Sequence, residues 1–316
     1  MDGLKVKINL SDIEEAYLKI RKSIRNKKKL YLFEKNYYVN CNMLVDKFND
    51  GYIYSKYNIF VIREKKKRLI MSSKLEDKII NHVVCKKILL PLDKYLIDSN
   101  CATRIGRGTR YARYLLDKYL IKIKNSRNEF YILKFDFSKY FFNINHIVLL
   151  NKLASYLDKE NLNIIKDILN TTNQIYINET IRKLGIDSIY RNGIGLPIGN
   201  YTSQFLAVFY LNDLDHFIKE KLKCKYYIRY MDDGIIIDNS KERLREILTI
   251  LSDIVKDDYY LEFNNKTKIY KSSEGFTFLG VNYKVRNKRI IRRVVSSTRR
   301  KIVKSNNLNY LQYEKK

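Results

Sequence analysis

The chain has 316 residues, of which 45% are hydrophobic, and this is enough for one large or two modest domains with a packed core. Its 62 Lys and Arg against 34 Asp and Glu give a formal charge of +28, so we expect a polyanionic partner, although an AT-rich genome would also enrich Lys. Scattered cysteines argue against zinc or disulfides, and no apolar run or signal-peptide pattern is found, so we expect a cytoplasmic protein without a membrane partner.

The first elements in the chain are predicted to be a basic helix and a positive hairpin. A helical pattern covers residues 11–35, and two strand patterns lie within residues 51–72. The charged sequence at 63–67 joins these strands. Apolar residues at helical spacing predict a further helix at 76–90, which Pro91 would end.

The middle of the chain alternates strands and helices. A strand pattern at 131–137 precedes a predicted helix at 145–158. A long helix is predicted from Thr202, with one buried stripe formed by Leu206, Phe209, Tyr210, Leu214 and Phe217. We interpret Asp213 and Asp215 on this helix as surface acids.

The last elements are predicted to be a hairpin, a helix and a strand pair. Residues 226–238 form two short apolar strands with acids at the bend. A helix follows at 242–255, with Asn239 as its predicted N-cap, and a strand pair lies near 274–283. This order predicts an α+β chain whose two acidic sites lie on adjacent strands.

The acids at the ends of these strands are candidate metal ligands. Asp136 ends an apolar strand, and Asp232 and Asp233 lie at the hairpin bend. Buried carboxylates repel each other unless a cation compensates, and hard oxygen donors favour Mg2+, with Mn2+ as the alternative. Two ions about 3.5–4 Å apart would activate an attacking hydroxyl and stabilise a leaving pyrophosphate. An ordinary β-turn is the other interpretation of Asp-Asp-Gly.

Several motifs in order resemble those of bacterial reverse transcriptases, the group II intron-like RNA-directed DNA polymerases. Tyr230-Met231-Asp232-Asp233 resembles the signature tetrapeptide of that family, and the segment from Phe135 to Phe142 resembles the preceding metal-binding motif. Further segments resemble the finger, nucleotide-loop and last palm motifs, namely 66–84, 98–112, 195–204, 261–270 and 274–280. The resemblance therefore covers about residues 50–285.

The resemblance implies an α+β right-hand polymerase fold with fingers, a palm of antiparallel sheet backed by helices, and a short thumb. It places an N-terminal basic helical extension at 1–50, fingers at 51–130 and a palm with some finger elements at 131–275. Residues 276–316 would be the end of the palm and the thumb. Within them, the basic segment 286–304 would hold phosphates, or it is a solvated tail.

The nucleotide loop resembles one subfamily in particular. Many reverse transcriptases carry Gln just before the loop Gly, whereas this chain has Ile198 there, in Ile-Gly-Asn-Tyr-Thr-Ser-Gln. This form resembles diversity-generating retroelement enzymes, in which the apolar residue is associated with misincorporation opposite template adenines. An aliphatic side chain cannot donate a hydrogen bond to the incoming base pair. Reverse transcriptases used in phage defence are the alternative.

The resemblance implies roles for the residues around the acids. Asp136 and Asp232 would bind two metal ions with the carbonyl of Phe137, and Asp233 would be a less direct carboxylate, supported by Tyr230 and Met231. Lys266 would protonate the pyrophosphate leaving group, or it is a turn lysine.

Other positions are implied to bind the nucleotide. Phe141 would exclude a ribose 2′-hydroxyl, or it is a core aromatic. Gly199 and Asn200 would allow close backbone approach beside Ile198, and Gln204 would lie in the minor groove or cap its helix. The candidates for gripping the triphosphate are Arg68, Arg104 and Arg107, with solvated or template-contacting arginines as the alternative.

The implied partners are template RNA, nascent cDNA and deoxynucleotide triphosphates. An accessory protein or a structured non-coding RNA would complete the cradle for the duplex. The non-enzymatic alternative is an RNA-binding protein with a disabled palm, against which the intact acids Asp136, Asp232 and Asp233 argue.

Overall fold

The computed structural model describes residues 6–24, 26–63, 67–126, 129–296 and 298–299. These residues form twelve α-helices: α1 Leu10–Arg21, α2 Lys27–Glu34, α3 Tyr37–Asp50, α4 Leu75–Val84, α5 Thr109–Ser126, α6 Tyr140–Asn143, α7 His146–Ala154, α8 Lys159–Asn170, α9 Ile175–Lys183, α10 Tyr201–Tyr210, α11 Asn212–His216 and α12 Lys241–Asp257. None of the helices in these ranges is long and apolar enough to cross a membrane.

The same residues form nine strands: β1 Asn58–Arg63, β2 Lys67–Ser72, β3 Tyr131–Phe135, β4 Tyr226–Tyr230, β5 Asp233–Asp238, β6 Lys268–Lys271, β7 Phe276–Phe278, β8 Val281–Arg286 and β9 Arg289–Val294. They pair into three antiparallel sheets, in the orders β1-β2, β4-β5-β3-β6 and β7-β8-β9. β3 and β5 are direct neighbours, as the sequence predicts for the strands that carry the two acidic sites.

The first of two compact units contains the residues up to Leu96, Lys139–Leu211 and Asp258–Tyr260. α4 and α7 pack against α10, whose residues from Phe205 to Tyr210 are all buried. The β1–β2 hairpin packs on α9 through a cluster of buried residues: Tyr57, Leu69, Met71, Ile177, Ile181 and Tyr190.

The second unit contains Ile97–Ser138, Asn212–Asp257 and the residues from Leu261 onward. Its centre is the four-stranded sheet, in which Ile132 of β3 and Ile235 and Ile237 of β5 share one core with α5 and the β7–β9 sheet. α12 packs against β3, β5 and β6. This sheet is the support for the acidic residues.

The helix predicted at 11–35 is two helices. α1 ends at Arg21 and α2 begins at Lys27, because the Asn26 side chain accepts a hydrogen bond from the amide of Lys29 and so starts a new helix. This segment is helical as predicted, but it consists of two separately capped helices.

The predicted strand before the hairpin begins later than expected. β1 starts at Asn58, since the hydroxyl of Tyr52 and the amide of Ser55 donate to the buried carboxylate of Asp77 and not to a β-ladder. The hairpin itself is confirmed, and residues 64–66 of its turn lie outside the described residues.

Pro91 does not end the helix predicted at 76–90. α-Helical bonding stops at Val84, and a π-helical turn followed by a 3-10 turn carries the chain to Tyr95. Pro91 lies at the start of the 3-10 turn, where its missing N–H costs no hydrogen bond.

Two details of the later helices also differ from the prediction. The long helix from Thr202 is broken at Leu211 into α10 and α11, and α10 is buried nearly all round, not along one stripe. The cap of α12 is Ser240, whose hydroxyl accepts a hydrogen bond of 3.0 Å from the amide of Arg243, and not Asn239. The predicted strand pair near 274–283 is confirmed, with β9 added to it.

Candidate active site

Two neighbouring strands place the three acids at one end of the sheet in the second unit. Asp136 follows the last residue of β3, and Asp232 and Asp233 lie at the turn between β4 and β5. Phe135 pairs with Gly234 in the ladder, so Asp136 lies beside the turn. A Cβ at position 234 would collide with the ring of Phe135, and glycine therefore permits this pairing.

Burial and repulsion oppose ionisation at this end of the sheet. Burial, followed by the neighbouring Asp136 carboxylate, raises the pKa of Asp232 from 3.8 to about 7. Burial also raises the pKa of Asp233, to about 6, although Lys134 acts in the opposite direction. A cation placed between Asp136 and Asp232 would relieve this repulsion.

Hydrogen bonds hold Asp136 in place. The Asn264 side-chain amide donates to Asp136 Oδ2 at 2.6 Å, and the Asn264 backbone amide donates to the Asp136 carbonyl at 2.8 Å. The Asp136 amide donates to Thr267 Oγ1 at 3.3 Å. The segment before β6 thus holds the Asp136 carboxylate in place.

Asp233 differs from the other two acids because it already has a cation. Lys134 Nζ lies 2.8 Å from its Oδ1, two residues before Asp136 on β3. Lys266 is exposed, and its charge also lowers the pKa of Asp233. Among the ion pairs of the described residues, neither Asp136 nor Asp232 has a lysine partner.

The residues next to the acids support the turn. Tyr230 Oη lies 3.2 Å from Thr109 Oγ1, and Met231 adopts a left-handed conformation with φ of 57°. Such a conformation costs a non-glycine residue about 1–2 kcal/mol, so surrounding contacts must hold it. Phe137 is buried and pairs with Phe263 in an isolated β-bridge.

The carboxylates of this site suit a hard divalent cation whose remaining ligands come from water and substrate. Within the described ranges, no three His, Cys, Asp or Glu side chains are grouped so as to hold a metal ion by themselves. Mg2+ is commonly held by one or two carboxylates, with waters and substrate phosphates as its other ligands. The repelling pair Asp136 and Asp232 fits that pattern.

Arg104 and Arg107 lie in the second unit and already have protein partners. Arg104 donates to the carbonyls of Ile97 and Asn100, at 2.7 and 3.1 Å. Arg107 forms an ion pair with Asp98 and stacks on Tyr111. Their contact with a triphosphate stays a prediction. It would require the two arginines to bind phosphate in addition to these protein partners.

The first unit holds the predicted nucleotide loop rigidly. The amide of Gly195 donates to Ile144 and that of Leu196 to the carbonyl of Phe141, at 2.8 and 2.7 Å. The carbonyl of Gly195 also lies 2.7 Å from His146 Nε2. The loop therefore enters α10 in a fixed conformation.

Strand β2 makes the closest contact with this loop. The amide of Met71 donates to the carbonyl of Ile198 at 2.7 Å. Gly199 has φ of 122°, and a Cβ there would lie 2.6 Å from the Met71 carbonyl oxygen. Asn200 is buried, accepts from Ser73 and donates to Tyr57. The side chain of Asn200 thus binds protein and its backbone amide donates to the Pro197 carbonyl at 3.3 Å, so its nucleotide contact stays a prediction.

The remaining predicted residues of this unit are more accessible. Phe141 and Gln204 are half-buried, and Arg68 is exposed on β2. Tyr140, beside Phe141, is a core residue whose hydroxyl donates to the Ala207 carbonyl at 2.6 Å. The nucleotide roles of all these positions stay predictions.

Three partners of the acidic site were not predicted from the sequence: Asn264, Lys134 and the Asp215–Arg229 pair. The interpretation of Asp215 as a surface acid is wrong, because its side chain is fully buried against Arg229, whereas Asp213 is exposed as predicted. The local sequence did not mark Asp215 as buried, because its partner Arg229 lies 14 residues away on another element. Lys134, in contrast, shares a strand face with Asp136, and this follows from the alternation of side chains along a strand.

Comparisons with known proteins place this geometry in a family context. Residues 55–283, well over half of the chain, match the family described as reverse transcriptase (RNA-dependent DNA polymerase). No curated protein matches the chain.

Among solved structures, the chain is similar to telomerases of two yeasts. Apo telomerase from Candida tropicalis matches with a TM-score of 0.53 and 13% identity, over 77% of this chain and 48% of that one. The same telomerase truncated from its C-terminal domain gives 0.48 and 14%, over 79% and 59%. Candida albicans telomerase in complex with a fragment of telomeric RNA gives 0.49 and 12%, over 75% and 45%.

The chain thus spans about half the length of the telomerase chains. At 13% identity, the similarity with a TM-score of 0.53 concerns the fold alone. The predicted α+β fold with antiparallel sheets is confirmed as the reverse transcriptase polymerase fold.

Proposed function

The chain belongs to the reverse transcriptase family of RNA-dependent DNA polymerases, which are nucleotidyltransferases, and we propose that it copies RNA into DNA by two-metal nucleotidyl transfer. The observation that carries this proposal is the pair of repelling carboxylates, Asp136 and Asp232, at the end of adjacent strands. A cation is the natural partner of such a pair.

The metals proposed here are Mg2+ ions, with Mn2+ as a substitute. Asp136, Asp232 and the Phe137 carbonyl would hold them, and Asp233 would act less directly because Lys134 already neutralises it. When bound, the ions activate a primer 3′-hydroxyl and neutralise the charge that develops on the phosphates. Asn264 keeps the Asp136 carboxylate oriented for that role.

The other proposed contacts follow from charge and position. Lys266 is exposed and close enough to Asp233 to lower its pKa, which supports a position for it beside a leaving pyrophosphate. Phe141, Gly199 and Gln204 would face the deoxynucleotide, as would Ile198. Arg68, Arg104 and Arg107 would bind triphosphate or template phosphates.

The partners of the whole protein are proposed to be template RNA, nascent cDNA and deoxynucleotides, with an accessory protein or a structured RNA. The net charge of +28 supports a nucleic-acid partner. The four cysteines are buried free thiols, which supports a cytoplasmic location. Fingers, palm and thumb are proposed at the boundaries predicted from the sequence.

The finer proposal is error-prone synthesis of the diversity-generating retroelement type. Ile198 supports it, because an aliphatic side chain at the loop cannot donate a hydrogen bond to the incoming base pair. With fewer polar contacts to lose, a mispair would be rejected less strongly.

The test is deoxynucleotide incorporation on a primed RNA template with Mg2+, comparing the wild type with Asp232→Ala and Asp213→Ala. Asp213 is an exposed acid on α11 and serves as the control. We expect the Asp232 variant to lose at least about 100-fold in rate, as loss of a key electrostatic group does, and the control to keep its rate.

Sequencing of the products tests the finer proposal. Errors concentrated at template adenines, and reduced in an Ile198→Gln variant, would support the retroelement type. Accurate copies would favour the phage-defence alternative and leave the polymerase proposal standing. If the wild type incorporates nothing, even with its co-purified RNA and neighbouring proteins, the polymerase proposal is wrong.

A further inference from the structure

Arg229 and Asp215 form a buried ion pair in the second unit, three residues before Asp232. Arg229 Nε lies 2.7 Å from Asp215 Oδ1, and Arg229 Nη2 lies 2.7 Å from Asp215 Oδ2. Both side chains have no exposed surface. Removing two charges from water is costly, so a pair in this place calls for an explanation beyond stability.

The carboxylate of Asp215 is saturated by further donors. The Tyr227 hydroxyl donates to Oδ1 at 2.6 Å, and the Asn100 side-chain amide donates to Oδ2 at 3.1 Å. Asp215 thus accepts four hydrogen bonds, two of them from Arg229. Such a network fixes the guanidinium in one orientation.

The third nitrogen of the guanidinium binds the turn that carries the acids. Arg229 Nη1 donates to the carbonyl oxygen of Met231 at 2.8 Å. Met231 is the residue in the left-handed conformation, and it is bonded directly to Asp232. The backbone of Arg229 is itself pinned, because its amide donates to Ser99 and its carbonyl accepts from Cys101.

We propose that the Asp215–Arg229 pair is a positioning device that locks the carbonyl of Met231 and so sets where the Asp232 carboxylate points. This inference rests on the proposed function, since it assigns the pair to the metal site. The contacts run from Asp215 on α11 through the Arg229 guanidinium to the Met231 carbonyl in the turn. Both side chains are fully buried, so the proposed role is to position the turn and not to bind metal or substrate.

A stability role alone would not need this arrangement. Replacing a buried ion pair by well-packed hydrophobic side chains of similar volume is often neutral or stabilising. What neutral side chains cannot supply is a charged donor in a fixed position against the Met231 carbonyl. A variant that removes both charges together therefore distinguishes a stability role from a positioning role.

The test compares the wild type with the double variant Asp215→Asn/Arg229→Met. Asn keeps an acceptor for the Tyr227 hydroxyl, and Met fills the space of the arginine stem without a donor for Met231. The matched control is Asp117→Asn/Arg292→Met, which removes the ion pair that links α5 to β9 in the same unit. Tyr227→Phe is a milder variant, because it leaves both charges in place.

Three measurements are made on the full-length proteins. The affinity for Mn2+ alone is measured from the electron paramagnetic resonance signal of free Mn2+, and amide hydrogen exchange is followed in peptides covering residues 226–238. Thermal unfolding shows whether each variant is folded. The Mg2+ concentration for half-maximal incorporation is added when the enzyme is active.

We expect the Asp215/Arg229 variant to bind Mn2+ about 10- to 100-fold more weakly, as loss of a partner to a metal ligand does, with faster exchange at the turn. Unfolding temperature should stay close to that of the Asp117/Arg292 control, whose Mn2+ affinity should match the wild type. Wild-type Mn2+ affinity and exchange in a folded Asp215/Arg229 variant would overturn the proposal.

Failure of the proposed function is distinguishable from failure of this inference. Without any polymerase activity, Mn2+ binding and hydrogen exchange still report on the turn. If the double variant does not fold, Tyr227→Phe decides the matter: weaker Mn2+ binding at unchanged unfolding temperature supports the positioning role, and unchanged binding contradicts it.

Discussion

Asp232 is a carboxylate whose ionisation is opposed by its own surroundings. Its pKa is about 7, first because it is buried and then because Asp136 is its neighbour. At neutral pH a bound proton and a bound cation therefore compete for the same oxygen atoms.

This competition predicts that metal affinity rises with pH. Below a pKa of about 7 Asp232 is mostly protonated, and a cation must displace that proton, so affinity for Mn2+ should increase about fivefold between pH 6 and 7, about twofold more up to pH 8, and level off above that. Titration of Mn2+ at several pH values measures this directly. In Asp232→Asn the step should vanish, and a flat profile in the wild type would contradict the prediction.

At the residue scale, the sequence was sufficient to predict the acids but not the residues that hold them in place. Asp136 and Asp232 are recognisable because the motifs around them resemble those of reverse transcriptases, with Asp136 after an apolar strand and Asp232 beside Asp233 at a hairpin bend. Asp215 was not recognisable as buried, because its partner Arg229 lies 14 residues away and on another element. Burial of a charge depends on that pairing, which local sequence does not display.

At the element scale, the ends of elements are decided by single hydrogen bonds. Both Asn239 and Ser240 are good N-cap residues, and the pattern of Glu three residues later favoured Asn239. The structure uses Ser240, whose hydroxyl accepts from the Arg243 amide, while Asp238 accepts from the Ser240 amide. Choosing between such neighbours requires knowing the direction in which β5 leaves the sheet.

The cap of α12 gives a prediction about stability. Ser240→Ala should lower the free energy of unfolding by about 1 kcal/mol, since an amide of the first turn loses its acceptor. Asn239→Ala should change it by less than about 0.5 kcal/mol. Urea denaturation of the two variants compares them, and equal effects would contradict the assignment of the cap.

The contact between the nucleotide loop and β2 gives a second prediction at this scale. Gly199→Ala should lower the free energy of unfolding by about 2–4 kcal/mol, because it combines a strained φ with a collision against the Met71 carbonyl. Gly193→Ala is the control, since it has φ of 70° but open space around it, and it should cost only about 1 kcal/mol. Similar losses in urea denaturation would show that backbone strain alone matters.

Elements were predictable where periodicity is strong and not where the chain changes helix type. The hairpin at 226–238 and the strand at its side follow from alternation. The π-helical turns at Cys85–Leu89 and Phe217–Lys221 and the break at Leu211 do not, because the spacing of apolar residues does not distinguish π-helical from α-helical hydrogen bonding or show a one-residue break.

At the scale of the whole molecule, charge dominates the expected behaviour with nucleic acid. With a net charge of +28, affinity for single-stranded RNA should fall as salt rises, with a slope in a log–log plot of about −0.7 per phosphate contacted. Arg68→Ala should make the slope shallower by about 0.7 if this exposed arginine binds a phosphate. Fluorescence anisotropy over a salt series measures the slope, and an unchanged value would remove Arg68 from the interface.

The fold class was predictable at this scale because ordered motifs constrain topology more than any single element does. The antiparallel sheet was expected from the resemblance to the reverse transcriptase palm, and β3 and β5 pair in that way. The division into units was not predictable, since contact density depends on which distant segments meet.

Each compact unit is assembled from separated stretches of chain, with changes of unit at Leu96, Ser138, Leu211, Asp257 and Tyr260. A ribosome making this protein must therefore deliver most of the sequence before either unit has all its parts. Evolution faces the same constraint, because no single cut yields a module that recombination can transplant intact. Proteins with this arrangement are expected to diversify by substitution within the chain and by additions at its ends, and much less by exchange of halves.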